Sequence, residues 1–449
     1  MINLFDRYHQ ESKDLHISLK KAGYQYPTIV IEADGFLPDD VISPFTYFLK
    51  GEDEPVRASF FNEVQVPPYW EIAGNGQSAR VLDMGQERAR IRYSEGSHLR
   101  LVKEVEWLDA SGRLRQVDHY DKYGFIFAKT TYTSDQVAFL TTYLDRSEKE
   151  RITENHLTGD IILTLPGEPQ RIFKNRQDYV YFFIQYLQLD LDHILFNSLA
   201  LPFLISYYLT APGQDILVWQ EPIGDSIPGN MQLILEQESL RAKRILVPDH
   251  ATFDRLRQLV LPEYAHKILP IGYIYDFKRD NCQEKQALIL TNSDQIEQLD
   301  FLASSLSDIR IHVAALTEMS QKLMSMMKYP NLVLHQNVSQ DKLTTLIETV
   351  DVFLDINYAD EVAQIGRRMF EQNALLVAFD QTAHDRRYLA PEHIFPARSP
   401  EDLTQLVQEV LADRSQMDMA LERQRKQANS RTKEAFQEQF SALLGGIDG

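Results

Sequence analysis

Residues 352–379 read VFLDINYADEVAQIGRRMFEQNALLVAF and hold the most informative pattern in the chain. Two short apolar runs, Val352–Ile356 and Leu375–Phe379, flank a segment with helical periodicity over residues 361–373. Apolar runs of this length with a helix between them are typical of buried parallel strands joined by a crossover helix. The stretch therefore predicts one strand–helix–strand unit of a parallel sheet.

The same alternation extends through residues 276–415. Further buried strands are predicted at Ala287–Leu290, Ile309–Ala315 and Leu332–His335, with helices near 295–306, 318–328, 340–350 and 401–412. Ser339 is placed to cap one helix, and Ser399 followed by Pro400 is a typical opening of another. Regular alternation of this kind predicts a doubly wound, Rossmann-like domain.

Residues 61–175 have a different periodicity. Val105 and Trp107 alternate with Glu104 and Glu106, as in an antiparallel strand with one wet face. Strands without intervening helices are predicted at Ala79–Met84, Arg88–Ser94, Leu99–Asp109, Leu114–Asp121, Phe125–Thr133 and Gln136–Asp145. Since α/β patterns occupy residues 1–60 and 176–275, the sequence predicts an antiparallel β-meander inserted into an α/β domain.

The predicted fold class is therefore α/β, with two Rossmann-like domains and the meander inserted in the N-terminal half. Residues 1–60 and 176–275 form the first Rossmann-like domain, 61–175 the meander, and 276–415 the second domain. A polar helix within 416–449 is predicted to pack back on the N-terminal domain. Two Rossmann-like domains facing a cleft are the GT-B architecture, and a ligand is expected at the carboxyl ends of the strands.

Composition excludes several classes of partner. The 449 residues carry a formal net charge of −19, which disfavours both nucleic acid and direct attraction to anionic lipid. The single cysteine, Cys282, excludes an intrachain disulfide, and no metal or cofactor is predicted. The first residues lack a signal-peptide pattern, and no run approaches the ~20 apolar residues of a membrane span. We therefore expect a cytoplasmic protein, and any association with the membrane should run through another protein.

A family resemblance rests on three segments. Leu375–Asp380, the helix that carries Asp360 and Glu361, and Gln336–Leu343 resemble the nucleotide-sugar end of retaining GT-B glycosyltransferases. With the meander, the whole chain resembles the paired O-GlcNAc transferase subunits of the accessory Sec pathway, and among them the stabilising, co-chaperone GtfB type. The resemblance implies a 2:2 complex with an active GtfA-type subunit and a serine-rich repeat adhesin as acceptor. It also implies an acceptor side at the N-terminal domain and a donor side at the C-terminal domain.

The donor side departs from that of active enzymes, in which two carboxylates with seven residues between them hold the nucleotide. The matching positions here are Asp360 and Arg368, and a guanidinium cannot accept hydrogen bonds from ribose hydroxyls. Glu361 replaces a small residue at the helix start, where it would repel a diphosphate. The loop after the first strand carries Asn292 and Asp294 without a cation for the leaving group. No catalytic residue is therefore predicted.

Acceptor contacts are predicted at Asp34, Asn292, Asn357 and Tyr358, because each follows a predicted strand and offers hydrogen bonds to hydroxyls and amides. Each of them could equally cap a helix or turn. His384 and Asp385 beside Arg386 and Arg387 could support acid–base chemistry, although a solvated charged turn explains the same pattern. Two functional alternatives stay open: an active retaining glycosyltransferase with an atypical donor site, and a structural stabiliser that never contacts acceptor.

Overall fold

The chain divides into two compact units. The computed structural model describes residues 1–51, 57–76, 78–94 and 100–445. Met1–Pro270, with the last residues from Leu443, form the N-terminal unit, and Ile271–Ala442 form the C-terminal unit. Leu99, the predicted start of one strand, and residues 446–449 of the predicted final helix lie outside the described residues.

The N-terminal unit contains two sheets. Its strands are β1 (Ile2–Phe5), β2 (Thr28–Val30), β3 (Val41–Ile42), β4 (Glu71–Gly74), β5 (Ser78–Asp83), β6 (Gln86–Tyr93), β7 (Val102–Leu108), β8 (Leu114–Tyr120), β9 (Ile126–Tyr132), β10 (Ala138–Leu144), β11 (Glu150–Asn155), β12 (Ile161–Leu163), β13 (Arg171–Phe173), β14 (Ile194–Phe196), β15 (Asp215–Val218), β16 (Ala242–Val247) and β17 (Ile268–Pro270). Its helices are α1 (Gln10–Lys21), α2 (Pro44–Tyr47), α3 (Arg176–Tyr186), α4 (Leu201–Tyr208), α5 (Gly229–Glu236) and α6 (His250–Leu259), with 3-10 turns at Phe61–Glu63 and Pro262–Lys267.

The first sheet is a seven-stranded Rossmann-like sheet in the order β17-β16-β15-β14-β1-β2-β3. All neighbouring strands run parallel, and Ile2 of β1 lies opposite Ile194 of β14. The α/β pattern of residues 1–60 begins with β1, a central strand that precedes α1 and was not predicted individually. Both β1 and β14 are too short to show periodicity, and their burial comes from neighbours distant in sequence.

The second sheet is a ten-stranded antiparallel meander in which β4 to β13 pair in chain order. The prediction of a meander without helices is confirmed, although β4 and β11–β13 were not predicted individually. Val105 is fully buried, whereas Glu104, Glu106 and Trp107 are half-buried, so the alternation predicted in β7 is less sharp than the sequence indicated. Chain-order pairing leaves β4 and β13 as the two edges.

A buried ion pair connects several elements of the N-terminal unit. Asp215, the first residue of β15, is 0% exposed, and Arg241 is 6% exposed. The two carboxylate oxygens accept hydrogen bonds from Arg241 Nε and Nη2, both at 2.9 Å. The same carboxylate accepts from the Ile194 backbone N–H at 2.9 Å and from Ser206 Oγ at 2.6 Å. Asp215 therefore joins β15 to β14 and α4.

The C-terminal unit contains one six-stranded parallel sheet in the order β20-β19-β18-β21-β22-β23. Its strands are β18 (Gln286–Thr291), β19 (Arg310–Ala315), β20 (Leu332–His335), β21 (Val352–Asp355), β22 (Leu375–Phe379) and β23 (Ile394–Phe395). Its helices are α7 (Leu299–Ser305), α8 (Gln321–Met324), α9 (Gln340–Thr349), α10 (Ile365–Glu371), α11 (Pro400–Ala412), α12 (Arg414–Gln427) and α13 (Lys433–Gly445), with 3-10 turns at Ser325–Lys328 and Pro391–His393. The doubly wound sheet predicted here is confirmed.

Local caps explain several helix starts. Ser339 Oγ accepts from the Lys342 backbone N–H at 3.3 Å and caps α9, as predicted. Pro400 opens α11, but the Ser399 side chain makes no capping hydrogen bond. These starts follow rules that the sequence shows directly.

The final segment differs from its prediction as one continuous helix. It forms α12 and α13, and the chain turns at Asn429, which has a φ of 50°. Within the C-terminal unit, Gln424 of α12 accepts from the Leu376 N–H at 2.8 Å and donates to the Ala374 carbonyl at 2.9 Å. Helix α12 is thus fixed to β22, while packing of this segment on the N-terminal domain stays a prediction. Across the residues described, no helix combines the length and apolarity needed to span a lipid bilayer.

Candidate functional site

The candidate site lies at the topological switch point of the C-terminal sheet. Strand β18 is central, with β19 on one side and β21 on the other, and the connections leave in opposite directions. Ligands of open α/β sheets bind in the crevice at the carboxyl ends of such strands. Here this edge carries the loops after β18, β21 and β22, which contain all the predicted site residues except Asp34 and the helical Arg368.

The loops after β18 and β21 are held together by their own amides. Asn357, which is 3% exposed, accepts from Thr291 Oγ1 at 2.8 Å. Its Nδ2 donates to Asn292 Oδ1 at 3.3 Å and to the Ala359 carbonyl at 3.0 Å. The structure therefore brings Asn292 and Asn357 together, while their contact with an acceptor stays a prediction. Because their amide groups bond mainly to each other and to nearby backbone, Asn357 has little capacity left for an acceptor.

Tyr358 and Asp294 flank this amide pair. Tyr358 is 44% exposed, and its hydroxyl donates to the Glu297 carboxylate and lies 3.0 Å from Gln381 Oε1. Asp294 accepts from Ser320 Oγ at 3.0 Å and so joins the loop after β18 to the start of α8. Tyr358 offers an exposed aromatic face to a ligand, whereas Asp294 is engaged in a loop contact.

Glu361 occupies the N-terminus of α10. Its Oε1 accepts from the Gly366 backbone N–H at 2.8 Å, and burial raises the pKa of its carboxyl group. The sequence predicted a helix from residue 361, but α10 begins at Ile365, because Ala363 and Gln364 adopt left-handed conformations with φ of 58° and 49°. The carboxylate thus folds back onto the helix start, and helix N-termini are positions that favour phosphate and other anions.

Arg368 lies in the last turn of α10, and the exposed Asp360 lies in the loop before the helix. The guanidinium is partly buried, and burial lowers its pKa. Its Nη1 is buried and has no hydrogen-bond partner among the residues that the structure describes. A guanidinium only donates hydrogen bonds, so at this position it supplies no acceptor for ribose hydroxyls.

The sequence pattern of His384 and its charged neighbours was also explained by a solvated turn. For the His384 side chain this interpretation is wrong. Its side chain is 19% exposed, and Nδ1 lies 2.6 Å from Asp355 Oδ1 while Nε2 lies 2.7 Å from the Ala359 carbonyl. Because both ring nitrogens face acceptors, the imidazole carries two protons and a positive charge. The hydrogen bond to Asp355 raises the pKa of His384 to about 9.

This histidine predicts a pH dependence of stability. Since the folded-state pKa lies above the ordinary value of about 6.5, the contribution is complete below pH 6.5 and is lost as the pH rises through about 9. Between these limits the free energy of unfolding should fall by about 1–3 kcal/mol. In urea titrations at several pH values, His384→Gln should flatten this dependence, and the exposed control His266→Gln should not. An unchanged slope in His384→Gln would contradict the assignment.

Sequence reasoning missed Asp355 and Thr382. Asp355 is the last residue of β21 and is 7% exposed, and Thr382 Oγ1 donates to its carbonyl at 2.7 Å. Asp355 could have been predicted as a site residue, because it is an acid at the end of an apolar strand at the switch point. Nothing in the local sequence shows that its partner is His384, because that contact depends on the register of β21 and β22.

Asp34 lies in the N-terminal unit, in the loop after β2. Its Oδ1 accepts from the Phe36 N–H at 3.0 Å, and its Oδ2 lies 3.9 Å from Lys103 Nζ. The next residue, Gly35, has a φ of 81°, and a Cβ there would lie 2.3 Å from the Tyr120 carbonyl oxygen. Asp34 thus caps a tight turn packed on the meander. Within the described ranges, no group of three His, Cys, Asp or Glu side chains could hold a metal ion.

Comparisons with known proteins cover both units. The GtfB N-terminal domain family matches residues 2–48, the GtfB middle domain 70–174, the GtfB third domain 176–259 and the GftB/GlyA-F C-terminal domain 287–424. A protein of Streptococcus gordonii named UDP-N-acetylglucosamine–peptide N-acetylglucosaminyltransferase stabilizing protein GtfB is 54% identical over 450 residues, which cover 100% of both chains. The chain belongs to the GtfB family.

Two further similarities agree with this family membership. A GtfB stabilizing protein of Streptococcus pneumoniae is 47% identical over 99% of this chain and 100% of its own. A chain in a crystal structure of a GtfA/B complex bound to UDP and GlcNAc superposes with a TM-score of 0.95 at 53% identity, covering 98% of this chain and 99% of that one. The resemblance to the GtfB type and the GT-B-like α/β fold are thus confirmed. In this GtfB family member, the middle-domain match nearly coincides with β4–β13.

Proposed function

We propose that this chain is a catalytically inactive subunit that stabilises a GtfA-type glycosyltransferase and holds its polypeptide acceptor. The proposal rests mainly on the hydrogen bond that the Glu361 carboxylate accepts from the Gly366 N–H. This contact places a negative charge where a nucleotide diphosphate would have to bind. Arg368 adds a second mismatch with the ribose. No residue of this chain is assigned a catalytic role, and UDP-N-acetylglucosamine would be bound and used by the partner.

The relatives support the partner in this proposal. The S. gordonii protein is named a stabilizing protein of a peptide N-acetylglucosaminyltransferase, and a close structural relative was crystallised in a GtfA/B complex. We place the contact with the partner on the meander, whose edge strand β13 carries Ile172 with 63% of its surface exposed. Two copies of each subunit complete the proposed assembly.

The proposed acceptor is a serine-rich repeat adhesin of the accessory Sec pathway, glycosylated on Ser and Thr hydroxyls. A Ser/Thr-rich polypeptide offers hydroxyl and amide hydrogen bonds to polar side chains at strand ends. The proposal includes a cytoplasmic location, with contact to the inner face of the membrane through the complex. A net charge of −19 is consistent with such indirect contact.

A transfer assay tests this function. Radiolabelled UDP-N-acetylglucosamine and an unmodified serine-rich repeat polypeptide are incubated with this chain, with the GtfA-type subunit, or with both, beside a pull-down of the polypeptide by this chain. We expect no transfer by this chain alone, retention of the polypeptide, and activity of the pair well above that of the partner alone.

The other outcomes identify the alternatives. Label transferred by this chain alone would make it a retaining glycosyltransferase with an atypical donor site. Full activity of the pair without retention of the polypeptide by this chain would make it a structural stabiliser that never contacts acceptor.

A further inference from the structure

A cavity of about 450 Å³ lies in the N-terminal unit, where the parallel sheet meets the meander. One wall comes from the loop after β2 and from β3 and α2, and includes Ala33, Val41 and Thr46. The other wall comes from the turns after β8 and β10, and includes Phe125 and Arg146. Ligand sites typically have volumes of about 300–1,000 Å³. The loop after β2 also belongs to the carboxyl edge of the parallel sheet, so the cavity and the strand order indicate the same place.

The carboxylates that line the cavity already have donors. Asp121 accepts from two backbone N–H groups of its own turn at 2.9 and 3.1 Å, and its Oδ2 lies 2.8 Å from Arg146 Nη1. Asp145 likewise accepts from two backbone N–H groups of its turn, and from Arg151 Nε at 2.7 Å. The exposed Asp39 accepts from a lysine and a tyrosine of the turn after β8. The acids of the lining therefore have little need of a donor from a ligand.

The cations of the lining differ, because Arg146 keeps most of its hydrogen-bonding capacity. Its side chain is 20% exposed, and the guanidinium lies 4.0 Å from the centroid of the Phe125 ring. Among the residues that the structure describes, Asp121 is its one carboxylate partner. The exposed Lys50 also lines the cavity and makes no ion pair within the described ranges. Most N–H donors of these two side chains therefore remain available for a ligand.

The charge of the lining narrows the class of ligand. Three carboxylates and three cations line the cavity, so the lining has no net charge although the whole chain carries −19. A neutral ligand therefore fits better than an ion that would have to displace one of the internal pairs. Because the free groups are donors, the ligand should be rich in acceptor oxygens. Ser and Thr hydroxyls and backbone carbonyls are neutral acceptors of this kind.

We propose that this cavity binds a segment of the acceptor polypeptide, whose hydroxyl and carbonyl oxygens accept hydrogen bonds from Arg146 and Lys50. The inference rests on the proposed function and assigns its acceptor contact to the junction of the parallel sheet and the meander. Asp34, which the sequence predicted as an acceptor contact, lies between two residues of the lining, Ala33 and Gly35.

The test measures the Kd of an unmodified serine-rich repeat polypeptide for the full chain by biolayer interferometry, with the Tm of each variant measured in parallel. Arg146→Gln should weaken binding by about tenfold or more, since hydrogen bonds from a charged donor are lost. The matched control is Arg88→Gln. Arg88 is 22% exposed and pairs with Asp83 of the meander at 2.9 Å, but it does not line the cavity. The control should shift the Tm by a similar amount and leave binding unchanged.

A second variant tests the cavity without removing an ion pair. Thr46 lines the cavity, and its hydroxyl makes no hydrogen bond within the part of the chain that the structure describes. Thr46→Phe places a ring in the cavity and leaves Arg146 intact. It should weaken binding by about tenfold or more, while the Tm stays unchanged or rises.

The outcomes separate the two proposals. Equal binding by Arg146→Gln and the wild-type chain, or equal weakening by Arg88→Gln, would overturn this inference and leave the proposed function standing. A wild-type chain that retains no polypeptide would overturn the acceptor role and this inference with it. If Arg146→Gln lowers the Tm more than the control does, Thr46→Phe decides. Weaker binding by Thr46→Phe without a loss of Tm supports the assignment, and unchanged binding overturns it.

Discussion

Replacing Asp215 by alanine should lower the free energy of unfolding of the N-terminal unit by about 3–5 kcal/mol. We expect a smaller loss from every other single substitution that we propose. The substitution leaves Arg241 buried at 6% exposure without its countercharge. It also removes the acceptor for the Ile194 N–H and for Ser206 Oγ. Each of these groups would then be buried without its partner, and that desolvation cost is not recovered elsewhere.

Arg241 also supports the surrounding backbone. Its Nη1 donates to the carbonyls of Ala211 and Pro212 at 2.6 and 2.8 Å, and its Nη2 donates to the Leu191 carbonyl. An Arg241 side chain that has lost its countercharge should therefore also disturb the segments before β14 and β15. Chemical denaturation monitored by tryptophan fluorescence measures the loss, because Trp219 directly follows β15.

The double variant Asp215→Leu with Arg241→Met provides the matched comparison. It removes both charges together, so it should lose less stability than Asp215→Ala alone. A loss below about 1 kcal/mol in the single variant would contradict the role given to this ion pair, since exposed pairs contribute that little.

Combining Glu361→Gly with Arg368→Glu should create measurable binding of UDP by the isolated chain. Removing Glu361 frees the Gly366 N–H and removes a repulsion of about 4 kcal/mol, the value for two unit charges about 4 Å apart in a partly buried site. A glutamate at position 368 supplies an acceptor for ribose hydroxyls. We expect no saturable binding to the wild-type chain up to about 1 mM UDP, and a Kd of about 100 μM or lower for the double variant.

Isothermal titration calorimetry with UDP provides the measurement, and Glu361→Gln provides the matched control. Glutamine removes the charge but keeps a side-chain oxygen that can occupy the Gly366 N–H, so Glu361→Gln with Arg368→Glu should bind more weakly than the glycine version. Wild-type binding as tight as that of the double variant would show that neither side chain blocks the donor position.

The fold followed from the sequence wherever apolar runs and turns repeat over several elements. The βαβ alternation of β18–β22 and the uninterrupted strands of the meander were predicted because burial on one or both faces leaves a period in the sequence. Strands β1 and β14 left no such signal. Each has only four or three residues, and each is a strand because the other lies beside it in the sheet.

The sequence predicted where Asn292, Asn357 and Tyr358 lie but not the contacts among the loops that hold them. Each of the three follows a strand that ends at one edge of the sheet, and their role in a binding site stays a prediction. The sequence could not show that Asn357 bonds to Asn292 and Thr291, or that His384 bonds to Asp355, because each partner comes from another loop. The start of α10 was placed too early, since Ala363 and Gln364 take left-handed conformations without a glycine to indicate them.

The order of the strands also sets the order in which the chain can fold during synthesis. Each strand of the meander pairs with its neighbour in sequence, so its hairpins can form as soon as they leave the ribosome. Strand β1 can pair early with β2, but its pairing with β14 must wait, because Ile2 lies opposite Ile194. At about 5–20 residues per second, that interval lasts on the order of 10–40 s. During it the apolar β1 and β2 belong to an incomplete sheet with one unpaired side, and an unpaired apolar strand is open to aggregation.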